Sequence, residues 1–155
     1  MEELLEAIKK CLGDNYEDLL LKKAKSVFIT PSVNYAPPGV RPPCIGIKDG
    51  GAIRKELTGG CIEVIRRVHL AISVDLFKGE QKVIGKNDKD NPKPGVLDIT
   101  SVLHTLLDDN TLSLDGYISA FCEEEAESVA YGDVEKDVFI QQQIITYRYE
   151  WEGAR

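Results

Sequence analysis

From Ile62 to Phe77 the chain reads IEVIRRVHLAISVDLF, and its apolar residues recur with a period of two for sixteen residues. One face carries Ile62, Val64, Arg66, Val68, Leu70, Ile72, Val74 and Leu76. The other carries Glu63, Ile65, Arg67, His69, Ala71, Ser73, Asp75 and Phe77. Period-two alternation is the signature of a β-strand lying on a core, and strands usually stop at about five or six residues. A strand this long outruns one compact sheet, so its end projects or is shared with a neighbour. A second long strand, FIQQQIITYRYEW from Phe139 to Trp151, has no cleanly polar face. One of its faces would show Phe139, Gln141, Gln143, Ile145, Tyr147, Tyr149 and Trp151, the other Ile140, Gln142, Ile144, Thr146, Arg148 and Glu150. A strand covering one core should alternate more strictly, which leaves a second face to be occupied by something else.

Around these strands the remaining pattern is mixed. Leu4, Leu5, Ile8 and Leu12 recur at helical spacing until Gly13, Asp14 and Asn15 break it. Five prolines between Pro31 and Pro43 force a loop or irregular arm. Cys44–Ile47 then reads as a short buried strand, followed by a glycine-rich excursion through Asp49–Gly60. A polar loop rich in lysine and turn residues spans Lys78–Gly95, and its tip is expected to be mobile. Val96, Ile99, Val102, Leu103, Leu106 and Leu107 form an apolar helical face, and a further strand begins near Leu114. The order predicts one α+β domain over residues 1–155, an antiparallel sheet of about four to five strands with two main helices packed on it.

Composition narrows function mainly by exclusion. A net charge of −7 disfavours a reader of DNA or RNA, because an acidic chain gains no counterion-release energy from phosphates. Acidic walls do suit a passage through which DNA slides without sticking. No stretch approaches the roughly 20 apolar residues of a membrane span, and the first twenty residues do not read as a signal peptide, so a protein made and folded in the cytosol is expected. The four cysteines, Cys11, Cys44, Cys61 and Cys122, stand singly and read as free, mostly buried thiols, with neither a metal nor another cofactor expected.

Sequence handles for acyl transfer, phosphoryl transfer, dinucleotide binding and zinc proteolysis are all missing, and no enzyme is expected. His69 lies on the more polar face of its strand and His104 on the solvent side of the second helix; both read as surface or interface residues, since neither has a local nucleophile and orienting acid. The run from Cys122 to Asp137 reads as a solvated, repulsive edge. For Arg66 and Arg67 two readings stand. A bulge turns both guanidinium groups to solvent, or both pair with acids of a neighbouring subunit and fix its orientation.

The succession of N-terminal helix, PPCIGI strand, EVIRRVHLAISVDLF, polar loop, GVLDITSVLHTLL helix, LDGYISA strand and a last strand ending in ITYRYEW resembles the phage tail-terminator and tail-completion proteins. These include the lambda type and tail proteins of Mu-like prophages. The resemblance runs over nearly the whole chain and is one of order and pattern, not of an invariant motif. It implies an α+β protein that forms hexameric rings, caps the tail tube, stops its polymerisation and docks the head. Expected partners are further copies of the chain, tail-tube proteins and head-completion proteins, with assembly in the cytoplasm and a final place in the virion tail. Under this reading Arg66, Arg67, Tyr147, Tyr149 and Trp151 are the candidate interface residues, and Glu123, Glu124, Glu125, Glu127, Asp133, Glu135 and Asp137 are candidates for an acidic lumen. The proline-rich arm and the glycine loop exceed a minimal terminator, and point to the alternative of a neck or baseplate protein. A non-enzymatic adaptor that binds a partner by a sheet edge and aromatic contacts is the other alternative.

Overall fold

A computed structural model describes residues 2–75, 95–133 and 138–154. The chain begins with helix α1 (Glu2–Asp14), followed by strand β1 (Val27–Ile29), β2 (Cys44–Glu56), β3 (Cys61–Asp75), helix α2 (Val96–Leu107), β4 (Tyr117–Glu125), β5 (Val129–Asp133) and β6 (Val138–Ala154). The strands form a single six-stranded sheet in the order β1-β2-β3-β6-β4, with β5 also pairing to β6. The two α-helices lie on one face of it.

The expectation of two helices on a sheet holds, while the sheet itself differs from the expected one. It is mixed, because β1 pairs parallel to β2 through Val27 opposite Ile45 and Ile29 opposite Ile47. It also has one strand more than the upper end of the expected range. β1 is short and lacks its own alternation, so only pairing to β2 makes it a strand. β2 runs thirteen residues and absorbs most of the glycine-rich stretch. Its register slips between Asp49 and Ala52, a β-bulge opposite Val68 and Arg66. Gly50 and Gly51 serve that bulge: a Cβ on Gly50 would sit 2.9 Å from the Arg67 carbonyl oxygen, and Gly51 has φ of +86°. The pair therefore marks a kink inside a strand, not a loop.

α1 forms because Leu4, Ile8 and Leu12 recur on one side, and all three are fully buried. α2 buries Val96, Ile99, Leu103 and Leu107, and its first turn is fastened by the Asp98 carboxylate accepting from the Gly95 N–H at 2.9 Å. Both helices cover Val68, Leu70, Ile72 and Val74 of β3, together with Ile145, Tyr147 and Tyr149 of β6. Each buried aliphatic side chain of this kind contributes on the order of 1.5–3 kcal/mol. β3 and β6 are paired without interruption from Cys61 opposite Ala154 to Asp75 opposite Ile140. The helices cover only part of this ladder, and beyond them the β2–β3 hairpin extends as an arm in which Gly51 to Glu56 are all exposed.

The second sheet face is partly occupied by the chain itself. The proline-rich arm folds back across one end of it, pinned where the Gln142 side-chain amide donates to the Val33 carbonyl at 3.0 Å. Its base is tied by the Thr30 hydroxyl to the Ser32 carbonyl at 2.7 Å. Phe28, Val33, Tyr35, Val40, Ala71 and Gln142 enclose a small cleft beneath the arm. The polar loop expected at 78–95 lies, apart from Gly95, outside the described residues. No helix among the described residues is long and apolar enough to cross a membrane.

Candidate functional site

The open part of the sheet carries a polar ladder built by strand alternation. Arg67 of β3 and Arg148 of β6 stand directly opposite each other, and like charges in that position repel. Each is compensated by a carboxylate. The Arg67 guanidinium makes a two-pronged contact with Glu123 at 2.7 and 2.9 Å, and Arg148 reaches Glu150 at 2.6 Å. Arg148 also lies over the Phe121 ring, 5.5 Å from its centre. The Glu123 carboxyl is held below its ordinary range, chiefly by the hydrogen bond from Arg67.

His69 continues this ladder, with Nδ1 2.9 Å from the Thr146 hydroxyl. Burial, then Lys48, lowers its pKa. Its Nε2 is pressed against the β2 backbone, where an added Cβ at Gly50 would come within 2.9 Å of it. Thr146 is only 7% exposed. A hydroxyl and an imidazole thus lie within bonding reach, with the second ring nitrogen beside the β2 backbone at Gly50.

The residues expected at a subunit interface are dispersed by the fold. Tyr147 and Tyr149 are fully buried beneath the helices, so they are core residues and not surface anchors. Strand parity places them on the apolar face, and α2 of the same chain covers that face. The Tyr147 hydroxyl donates to Asp108 at 2.7 Å and lies 2.8 Å from His104 Nδ1. Burial drives the pKa values of both tyrosines well upward, and for Tyr147 the Asp108 hydrogen bond adds to it. The Tyr149 hydroxyl has no hydrogen-bond partner among the described residues. Trp151 is partly buried against its own chain. Its indole N–H donates to the Asp115 carbonyl at 3.1 Å, and a Cβ on Gly116 would lie 2.2 Å from that nitrogen.

Arg66 stays on the helix side, opposite Tyr149, partly buried and with its charge near Tyr117. Neither earlier reading of the arginine pair describes it: the bulge sits on β2, and the acid that Arg67 meets is Glu123 of the same chain. The expected acidic wall is also divided. In β4 the register slips between Cys122 and Glu124, so Glu123 faces Arg67 while Glu125 contacts His104 Nε2 on the helix side. Glu124 and Glu127 are exposed. Asp133 lies at the end of β5, and Glu135 and Asp137 fall outside the described residues. His104 is partly buried and turned toward Tyr147, not toward solvent. Sequence reading missed this arrangement because its members come from three separate elements.

The two sheet margins are the surfaces left over. Along β4 and β5, Ile118 and Val129 are each 56% exposed and Phe121 39%. Along the β2 arm, Ile53 is 59% exposed between Ala52 and the basic pair Arg54 and Lys55. Among the described residues, neither margin borders a further strand over these stretches.

No family model matches this sequence, and no curated relative does. Among solved structures, a chain from "Virion of native gene transfer agent (GTA) particle" shares the fold with a TM-score of 0.58. The match covers 97% of this chain and 95% of that one at 13% identity. This is a likeness of fold, and it extends end to end.

Proposed function

We propose that this chain is a structural protein of a phage-like particle, and that it works as a ring-forming terminator that closes the tail tube and joins it to the head. The observation that carries this reading is the end-to-end fold match to a chain of a gene transfer agent virion, taken with the succession of elements that resembles the tail terminators. A non-enzymatic role is part of the proposal.

A ring needs a heterologous contact, one patch of a copy against a different patch of the next. The two sheet margins supply such a pair. The β2 arm presents Arg54 and Lys55 around Ile53, while the β4–β5 margin presents Glu124 and Glu127 around Val129. Docking one margin on the other in successive copies would continue the sheet around the ring and pair opposite charges. This replaces the tyrosine contact by an edge contact, with Arg66 and Trp151 as flanking candidates. Where Glu124 and Glu127 meet the neighbour, they serve the joint and not a DNA-facing lumen.

Light scattering behind a sizing column, followed by electron microscopy with tail-tube protein, tests the reading. The expected result is a discrete ring, hexameric by the family resemblance, that arrests tube growth. Arg54→Glu with Lys55→Glu should abolish the ring, and adding Glu124→Lys with Glu127→Lys should restore it. A chain that stays monomeric with and without tube, yet captures a partner's strand on the β4–β5 margin, would replace the terminator by the adaptor.

A further inference from the structure

The irregularity in β4 has a chemical result. Residues three apart on a regular strand point to opposite faces, yet here Cys122 stands opposite Tyr147 and Glu125 opposite Ile145, both on the helix side. The extra residue between them, with Glu123 and Glu124 set against Thr146, is what returns Glu125 to the face of Cys122. α2 brings His104 to the same spot. One donor atom from each of His104, Cys122 and Glu125 lies within 4.8 Å of the other two.

The hydrogen-bond inventory around His104 defines what this spot lacks. Tyr147 has one hydroxyl proton and gives it to Asp108, so its oxygen accepts from His104 Nδ1–H. His104 Nε2 then faces the Glu125 carboxylate at bonding contact. In the tautomer with the proton on Nδ1, two lone pairs would meet there, and a cation must lie between them. A proton suffices for the histidine and glutamate alone, while the Cys122 thiol donates to the Glu124 carbonyl at 3.5 Å and keeps its sulfur within reach of both other donors. A nitrogen, sulfur and carboxylate set is the donor combination that suits zinc. The chain Asp108–Tyr147–His104 is also the kind of outer support that fixes a metal-binding imidazole by its other nitrogen.

We propose that His104, Cys122 and Glu125 bind a zinc-class divalent cation, with the fourth position open to water, tying α2 to the β4 margin. Metal–ligand bonds of about 2.0–2.3 Å in a tetrahedron require the three donors to draw together, with the metal taking the place of the direct contact between Glu125 and His104 Nε2. Binding releases the thiol proton to solvent as the thiolate coordinates.

The test uses the untagged chain, freed of metal by a chelator and titrated with Co²⁺ and then Zn²⁺. The expected result is one equivalent of Co²⁺ with a near-ultraviolet thiolate-to-cobalt charge-transfer band that Zn²⁺ abolishes. Cys122→Ser should remove the band, Glu125→Gln should weaken Zn²⁺ binding, and Cys61→Ser, which changes an exposed thiol elsewhere, should leave both untouched. Asp108→Asn should weaken Zn²⁺ by about 10–100-fold by releasing the imidazole support. Circular dichroism checks that each variant is folded. Absence of the band in the unsubstituted chain, or Zn²⁺ uptake equal in the Cys122→Ser variant, would overturn the proposal and leave a proton as the bridging cation.

Discussion

The two faces of β6 come from the same seventeen residues and are held by different physics. On the helix side, Ile145, Tyr147 and Tyr149 are fully buried, so stability there depends on packing and on holding two phenols out of water, of which the Tyr147 hydroxyl is hydrogen-bonded and the Tyr149 hydroxyl is not. Gln143 is buried on that side too, and bonds Thr100 at 2.8 Å and the Ala126 carbonyl at 3.0 Å. On the open side, Arg148 and Glu150 remain partly exposed, Thr146 takes a histidine, and Gln142 holds the proline-rich arm. The lesson is that an apparently two-sided strand need not meet another chain. Part of its second face is covered by residues far away in its own sequence.

If this comparison is right, substitutions on the two sides should differ sharply. Tyr149→Ala should be the most damaging, costing about 3–5 kcal/mol in chemical denaturation as a large buried ring is lost. A cost below that of a surface change would mean that α1 and α2 do not cover the strand in solution. Tyr147→Phe should cost less, about 1–3 kcal/mol, because it leaves Asp108 and His104 without their shared hydroxyl.

High pH sharpens the contrast further. Both tyrosines have folded-state pKa values raised above the ordinary 10.0. Their contribution is therefore fully present below pH 10 and is lost as pH rises through the folded values. Denaturation midpoints should fall steeply above about pH 10, and the fall should be shallower in the Tyr147→Phe, Tyr149→Phe double variant. The Cys44 thiol, pushed up to about 11 by burial, adds a slope of the same sign that both proteins share.

The open side should give the smallest effects. Arg148→Ala should change stability by under about 1 kcal/mol, as expected for a partly exposed ion pair at the surface, and more salt should narrow the difference. The Arg67–Glu123 pair has the opposite pH sign from the tyrosines. The Glu123 pKa is depressed below 4.5, so its contribution is present above that pH and lost as acid protonates the carboxylate. Acid titration of Glu123 followed by NMR should show this lowering, and Arg67→Gln should erase it. Tyr149→Phe is the finest probe, because removing a buried hydroxyl with no partner should be neutral or stabilising, within about 1 kcal/mol.

Both helices, β3 and β6 were legible in the sequence because each is long enough for its period to exceed the noise of individual residues. The four cysteines form no disulfide, but of the thiols expected to be mostly buried only Cys44 is; Cys11 and Cys122 are half-buried and Cys61 is exposed. β1 was not legible, since three residues carry no period. The extent of β2 was hidden by glycines that read as a loop until the bulge gives them a place. The strand expected from near Leu114 is β4, which starts at Tyr117, but the acidic run concealed how far it extends and hid β5, because charged residues on an exposed margin carry no apolar alternation. The site around His104 was out of reach for a different reason. Cys122 and Glu125 have the wrong parity to share a face, and only the β4 bulge corrects it.

What the sequence determined by itself is therefore local: which segments are helix or strand, and which side of each prefers to leave water. Hydrophobic periodicity is written along the chain and needs no partner to be read. What covers each side was decided only by the tertiary structure. The burial of Tyr147 and Tyr149 under α2, the proline-rich arm across Gln142, and the meeting of His104 with Cys122 and Glu125 all depend on contacts between segments remote in sequence. Period and propensity state that a face must be covered; topology and strand register determine by what.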